Sequence, residues 1–213
     1  MQPTLKQHHE IHLARKIWHF LGVVFIAVCY HNLERQEAIQ WLLILGTIGI
    51  LIDLLRLSNS KLNAWAIRIM GPVMRDSEKN KLAGTTYLIV GVFVIVLFFD
   101  PLVVKLSLLF LALADPMASY FGIRYGKDRL FGRKSLQGSL AAFITCFLIS
   151  VFYFYSKDLM LDRLFIASLL AGLAGAISEA APIGKLDDNL VLPILSSTLL
   201  YFIYLVFGGF PVA

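Results

Sequence analysis

LADPMASYFGIRYGKDRLFGRKSLQGS, residues 113–139, decides how this chain is read. It starts inside an apolar run, where Asp115 and Pro116 interrupt residues that otherwise suit lipid. It passes into a short loop in which Arg124, Lys127, Arg129, Arg133 and Lys134 stand among Gly122, Gly126, Gly132 and Gly138. It closes with Ser135 and Ser139 as another apolar run begins. Two apolar runs joined by a basic, glycine-containing loop describe two membrane helices that meet a polar surface. A carboxylate set into the first of them, beside that loop, suggests a metal–phosphate site at the membrane face.

The same alternation extends outward in both directions. Apolar runs cover approximately 17–31, 38–55, 84–99, 102–121, 139–155, 164–181 and 189–207. A spanning helix needs about 20 residues, so the first run is extended back over Ala14 to Trp18. With 58% hydrophobic and 15% charged residues and a mean hydropathy of +0.75, the composition lies far from that of a soluble domain. The expectation is an all-α, polytopic transmembrane helix bundle of about seven spans. Its 213 residues leave little room for a separate soluble part, so one integral-membrane domain over 1–213 is expected. The basic N-terminus and the run after it lack a small-x-small cleavage site, which predicts a first transmembrane helix rather than a cleaved signal.

Charge placement orients the bundle. Lys and Arg concentrate in cytoplasmic loops. With the N-terminus inside and seven spans, only Arg35, Lys105, Lys157 and Arg163 of the 19 basic residues fall outside. The longest loop, 56–83, carries Trp65, Ile69, Val73 and Met74 at helical spacing beside Arg68 and Arg75. It predicts an amphipathic helix on the inner membrane face.

That orientation gathers the unusual polar residues on one side. Asp115 lies toward the cytoplasmic end of the fourth span and Glu179 toward that of the sixth. Asp187, Asp188 and Asn189 stand at the entry to the seventh, and Arg15, Lys16 and His19 at the entry to the first. Ionisable residues inside spans are costly and are functional candidates by default. Carboxylates hold Mg²⁺, which also binds phosphates; Lys and Arg neutralise phosphate oxygens; glycines let backbone N–H groups approach a pyrophosphate. The loop is not a Walker A motif, because Asp128 stands where Ser or Thr is required. Asp115, Ser119 and Gly122 share one helical face. Asp53 and Arg56 are spaced to form an interfacial ion pair. The HHEIH string at 8–12 lacks HExxH spacing and reads as a solvated interfacial segment. Cys29 and Cys146 read as small apolar residues with no metal or redox spacing.

Three motifs, taken together and in order, resemble the CTP-dependent lipid-alcohol kinases, which include dolichol kinase, phytol kinase and the yeast-type diacylglycerol kinase. They are Arg15-Lys16-x-x-His19 followed by Gly22; Asp115-Pro116-x-Ala118 with Gly122-x-x-x-Gly126-Lys127 and Lys134-Ser135-x-x-Gly138-Ser139; and Glu179 with Asp187-Asp188-Asn189 and Pro193 following. The stretch Glu78…Leu82-x-Gly84-Thr85 is also similar. Gln137 stands where the family more often has Glu.

The resemblance implies transfer of the γ-phosphate of CTP to a lipid hydroxyl, with polyprenol, dolichol, phytol and diacylglycerol as alternatives. Asp115 with Asp187 or Asp188 would hold Mg²⁺ and CTP. Lys127, Arg133 and Lys134 would clamp phosphates, with Ser135, Ser139 and Asn189 bonding nearby and Gly122, Gly126, Gly132 and Gly138 allowing approach. Glu179 or a paired aspartate would take the alcohol proton, and Arg15, Lys16 and His19 would orient the hydroxyl or the leaving diphosphate. The expected partners are CTP, the lipid and the bilayer, with no nucleic acid; a homo-oligomer is left open. Two other readings stand beside this one. A phosphatidate cytidylyltransferase would release pyrophosphate instead of CDP, and a small transporter would place its carboxylates near the bilayer midplane.

Overall fold

The structure is a computed structural model that describes residues 5–131, 134–181, 183–184 and 186–210; of residues 5–13 and Phe131 it describes the backbone alone. All seven apolar runs lie in helices. Among the described residues these are α1 (Leu5–Asn32), α2 (Arg35–Ser58), α4 (Gly84–Phe98), α5 (Pro101–Tyr125), α6 (Leu136–Ser156), α7 (Leu164–Ala180) and α8 (Asp188–Phe207), with α3 (Ser60–Met70) between α2 and α4. The first helix begins well before residue 14, so the polar segment expected ahead of it is its opening turns. The His8, His9 and His12 side chains lie outside the described residues. Five helices among the described residues are long and apolar enough to cross a bilayer. α4, with 15 residues, is shorter.

Helix starts follow side-chain chemistry. Asp100 accepts from Leu102 N at 2.8 Å with Pro101 in the first turn. Ser135 caps α6 by accepting from Gly138 N at 3.2 Å, and Asp187 caps α8 by accepting from Asn189 N at 3.0 Å. Each cap satisfies a backbone donor that the helix cannot. Ser135 and Asp187, which the sequence marks as ligand-binding candidates, thus serve as helix caps.

α5 is the central helix, packed against α1, α6, α7 and α8. It contributes to two apolar cores. One joins Phe110 and Leu106 to Cys146, Ala171, Leu200 and Tyr204. The other joins Val104, Leu108 and Leu111 to Val23, Leu42, Val92 and Leu192. Small residues set the helix spacing: a Cβ on Gly172 would sit 2.9 Å from Phe147 Cβ, and one on Gly175 would overlap Cys146 Sγ. Pro193 in α8 leaves the Asn189 carbonyl without its helical donor. α4 comes close at that point, where a Cβ on Gly91 would be 2.9 Å from Asn189 O. The outward faces are apolar: Phe152 is 75% exposed and Phe98 72%. A bundle that shows phenylalanine outward is built for lipid.

The basic loop after α5 contains a short antiparallel pair, β1 (Arg129–Phe131) with β2 (Lys134–Ser135). The pairing returns the chain to the bundle and delivers Lys134 at the start of α6. Gly132 and Arg133, at the turn, lie outside the described residues.

Asp53 and Arg56 do form the expected pair, with Nε to Oδ1 at 2.6 Å, but it is buried inside the protein. Asp53 also accepts from Ala83 N at 2.8 Å and Thr86 Oγ1 at 2.7 Å. Arg56 donates to Asn63 Oδ1 at 3.1 Å, to Glu78 O at 3.0 Å and to Lys81 O at 2.5 Å. The pair therefore anchors the loop 71–83 to α2.

Candidate functional site

A cavity of about 810 Å³ opens where the polar residues of five helices, the hairpin and the loop 71–83 meet. α1 contributes Arg15, Lys16 and His19, one helical turn apart. α5 contributes Asp115, Ala118, Ser119, Gly122 and Ile123 on the single face expected from their spacing. Arg129, Lys134 and Ser135 come from the hairpin, and Gly126 precedes it. Gly138 and Ser139 open α6, Glu179 comes from the end of α7, and Asp188 and Asn189 open α8. Four clusters that are far apart in sequence thus line one cavity.

Lys134 is the hub of the acidic side. Its Nζ lies 2.6 Å from Glu179 Oε1 and 3.6 Å from Asp188 Oδ2. Burial disfavours its charge, but Glu179 and Asp188 outweigh that and hold the ammonium above the ordinary lysine range. The Glu179 side chain is only 4% exposed, so its carboxylate serves as the counter-ion of Lys134. Across the cavity, His19 Nε2 stands 3.8 Å from Asp115 Oδ2. Among the described residues, neither His19 Nε2 nor Ser139 Oγ makes a hydrogen bond within the protein. A buried polar atom without a partner is costly, and these two border the cavity.

The glycines have a packing role. A Cβ on Gly122, Gly126 or Gly138 would lie 3.1, 2.8 or 3.2 Å from Ser135 Oγ, and one on Gly138 would lie 2.8 Å from Ala118 O. Their missing side chains admit Ser135 and let α5 and α6 cross closely. Ser135 itself is buried and engaged as a helix cap.

Several expected residues are placed elsewhere. Lys127 does not line the cavity; its N–H donates to Gln137 Oε1 at 3.1 Å, and Gln137 Nε2 donates to Asp128 Oδ2 at 3.0 Å. Gln137 therefore shapes the turn before β1. Asp187 points to Arg75, with Oδ2 to Nη1 at 2.7 Å. Asn189 lines the cavity while its Nδ2 donates to Gly84 O at 3.0 Å. Arg133 lies outside the described residues. The expected metal trio of Asp115, Asp187 and Asp188 is not a ready-made cluster: no group of three His, Cys, Asp or Glu with metal-holding geometry occurs among the described residues.

Arg75, Ser77, Ile123 and Arg129 also line the cavity, although their sequence pattern does not mark them as site residues. Arg75 and Arg129 sit in loops rich in charge, where a cavity residue looks like a solvated one. Alternation of charge and glycine could not single them out.

The fold and site define an all-α, membrane-type bundle with a charged cavity fed by most of its helices. No family model and no solved structure matches the chain. Among curated proteins, it is 33% identical over 209 residues to the CTP-dependent diacylglycerol kinase 1 of Schizosaccharomyces pombe, covering 92% of this chain and 94% of that one. The Saccharomyces cerevisiae protein of the same name is 30% identical over 212 residues, covering 89% and 71%. The dolichol kinase of the same yeast is 25% identical over 200 residues, covering 88% of this chain and 36% of that one. The chain belongs to the CTP-dependent lipid kinase family.

Proposed function

We propose that this chain transfers the γ-phosphate of CTP to the hydroxyl of a membrane lipid, with diacylglycerol as the alcohol, at the cytoplasmic face of a seven-span bundle. The observation that carries the reading is one cavity that brings Asp115, His19, Lys134 and Asp188 together beside Arg15 and Lys16. Diacylglycerol is preferred because the two relatives at 30% identity or more, matched over 94% and 71% of their own length, bear that substrate in their names.

The chemistry follows from what lines the cavity. Phosphoryl transfer needs positioning and charge stabilisation more than covalent chemistry. The lipid oxygen attacks the γ-phosphorus, the bond to the β,γ-bridging oxygen breaks, and CDP leaves. Lys134, Arg15 and Lys16 surround the phosphates with positive charge. His19, whose Nε2 makes no hydrogen bond among the described residues, accepts the hydroxyl proton. Glu179, whose Oε1 accepts from Lys134 Nζ at 2.6 Å, serves as the counter-ion of that lysine.

Mg²⁺ binds one or two carboxylates and completes its shell with phosphate oxygens and water. Asp115 and Asp188 are both partly exposed to the cavity and fit that donor set. The ion would supply further neutralisation of the phosphate oxygens.

The test is purified protein with Mg²⁺, labelled CTP or labelled ATP, and a panel of diacylglycerol, polyprenol, dolichol and phytol. The expected products are phosphatidate and CDP, from CTP. Pyrophosphate and a CDP-lipid made from phosphatidate would show a cytidylyltransferase instead. Asp115→Asn and His19→Ala are each expected to lower turnover by about 10²–10⁴-fold. Full turnover by both would refute the site assignment.

A further inference from the structure

The loop 71–83 brings a further arginine to the cavity. Arg75 lines it together with Arg15 of α1 and Ser77. Asp187 Oδ2 accepts from Arg75 Nη1 at 2.7 Å, which uses one of the five N–H donors of a guanidinium. Between the two arginines stands Glu78. Its Oε1 lies 3.9 Å from Arg15 Nη2 and 4.0 Å from Arg75 Nε. Glu78 is 6% exposed, and this oxygen makes no hydrogen bond among the described residues. A buried carboxylate is expensive to keep unless its charge is used. Here it faces two guanidinium groups that point to one cavity.

The placement is enforced from outside the cavity. Arg56 holds the Glu78 carbonyl, and Asp53 holds the backbone a few residues later at Ala83. A Cβ on Gly84 would stand 3.1 Å from Glu78 Oε1 and 2.8 Å from Asn189 Nδ2, so α4 begins with a glycine where the carboxylate needs the space. Arg75 and Lys134 reach successive residues at the start of α8, Asp187 and Asp188. The two cations therefore approach that helix start from different parts of the chain.

We propose that Arg75 is a phosphate-binding residue that clamps the triphosphate chain of the nucleotide together with Arg15, and that Glu78 is the positioning residue that aims both guanidinium groups. This rests on the cavity being a nucleoside triphosphate site. A planar guanidinium binds phosphate through paired donors, which a lysine cannot reproduce. Glu78 does not touch the ligand; it fixes the spacing of the two arginines.

The test measures KM for CTP and for the lipid, and the Kd of inorganic tripolyphosphate with Mg²⁺, on full-length protein in detergent. Arg75→Gln is expected to raise KM for CTP and Kd for tripolyphosphate by about 10–100-fold, the range for a charge-assisted contact. KM for the lipid stays within about twofold on the same reasoning, because the arginine meets phosphate alone. Arg75→Lys keeps the charge beside Asp187 and recovers only part of the loss. Glu78→Gln gives a smaller rise, and little more when added to Arg75→Gln, as expected for residues that act as a unit. If Arg75→Gln does not fold, Arg75→Lys decides: wild-type values for both phosphate ligands overturn the clamp. Wild-type values in a well-folded Arg75→Gln overturn it equally. A wild-type protein that binds tripolyphosphate through Arg75 but does not turn over CTP would retain the clamp and remove the kinase reading. Turnover of CTP with no dependence on Arg75 would do the reverse.

Discussion

Lys134 and Glu179 illustrate what a single buried contact implies. The lysine charge is stabilised by its carboxylate neighbours, so its folded pKa lies above its unfolded value. Its contribution to stability is therefore complete below the ordinary lysine pKa of about 10.4 and is lost only as pH rises through the higher folded value. Between roughly pH 6 and 9 the charge of Lys134 is constant, and an activity change in that window has to come from another group. Lys134→Met strands a buried carboxylate and is expected to cost about 3–5 kcal/mol, read as a lower unfolding midpoint. Lys134→Met with Glu179→Leu should recover most of the stability and none of the turnover. Asp115, Glu179 and Asp188 were legible in the sequence because a carboxylate within or beside an apolar run is costly, whereas Lys134 stood out only in company with them. The partners were not: nothing in the sequence pairs Lys134 with Glu179 ahead of Asp188 or Asp115.

At the level of elements, the crossing of α5 and α6 sets the cavity floor. A methyl on Gly138 would meet the Ala118 carbonyl at 2.8 Å, and backbone cannot step aside. Gly138→Ala should cost about 1–3 kcal/mol by overpacking and lower turnover by displacing Lys134 and Ser139. Gly22 is the control, since nothing lies within 4 Å of its added carbon. Gly22→Ala should be neutral or stabilising by up to about 1 kcal/mol, with unchanged KM for CTP. The helices were legible because each apolar run is long. The sequence alone suggests room for phosphate at Gly122, Gly126 and Gly138, because their packing against Ser135 depends on how two helices cross. The Asp53–Arg56 pair was legible from its spacing, but its burial was not, because its other partners are mostly backbone groups in a distant loop.

For the molecule as a whole, orientation is the property to test. On the proposed orientation, Lys79 lies inside and Lys157 outside. Single cysteines at those positions, in a background lacking Cys29, should react differently with an impermeant maleimide added to intact cells: Lys157→Cys labels at once and Lys79→Cys only after permeabilisation. Labelling of both from the outside would remove the proposed topology and the cytoplasmic site with it. α3 has no buried residue and leaves Trp65 and Ile69 exposed, which supports the reading that it rests on the inner face of the bilayer. Its emission should shift to the blue on transfer from detergent to vesicles, relative to Trp65→Phe.

The anchoring of loop 71–83 also bears on how this sequence can drift. Arg56 and Asp53 grip that loop largely through main-chain atoms: two carbonyls, at Glu78 and Lys81, and the amide of Ala83. Main-chain atoms are the same whatever side chain they carry. Substitutions at the exposed Lys79 and Asn80 can therefore accumulate without moving Arg75, whereas adding or removing one residue between Glu78 and Ala83 would break the grip. Across relatives, those two positions should be free in identity and the stretch fixed in length.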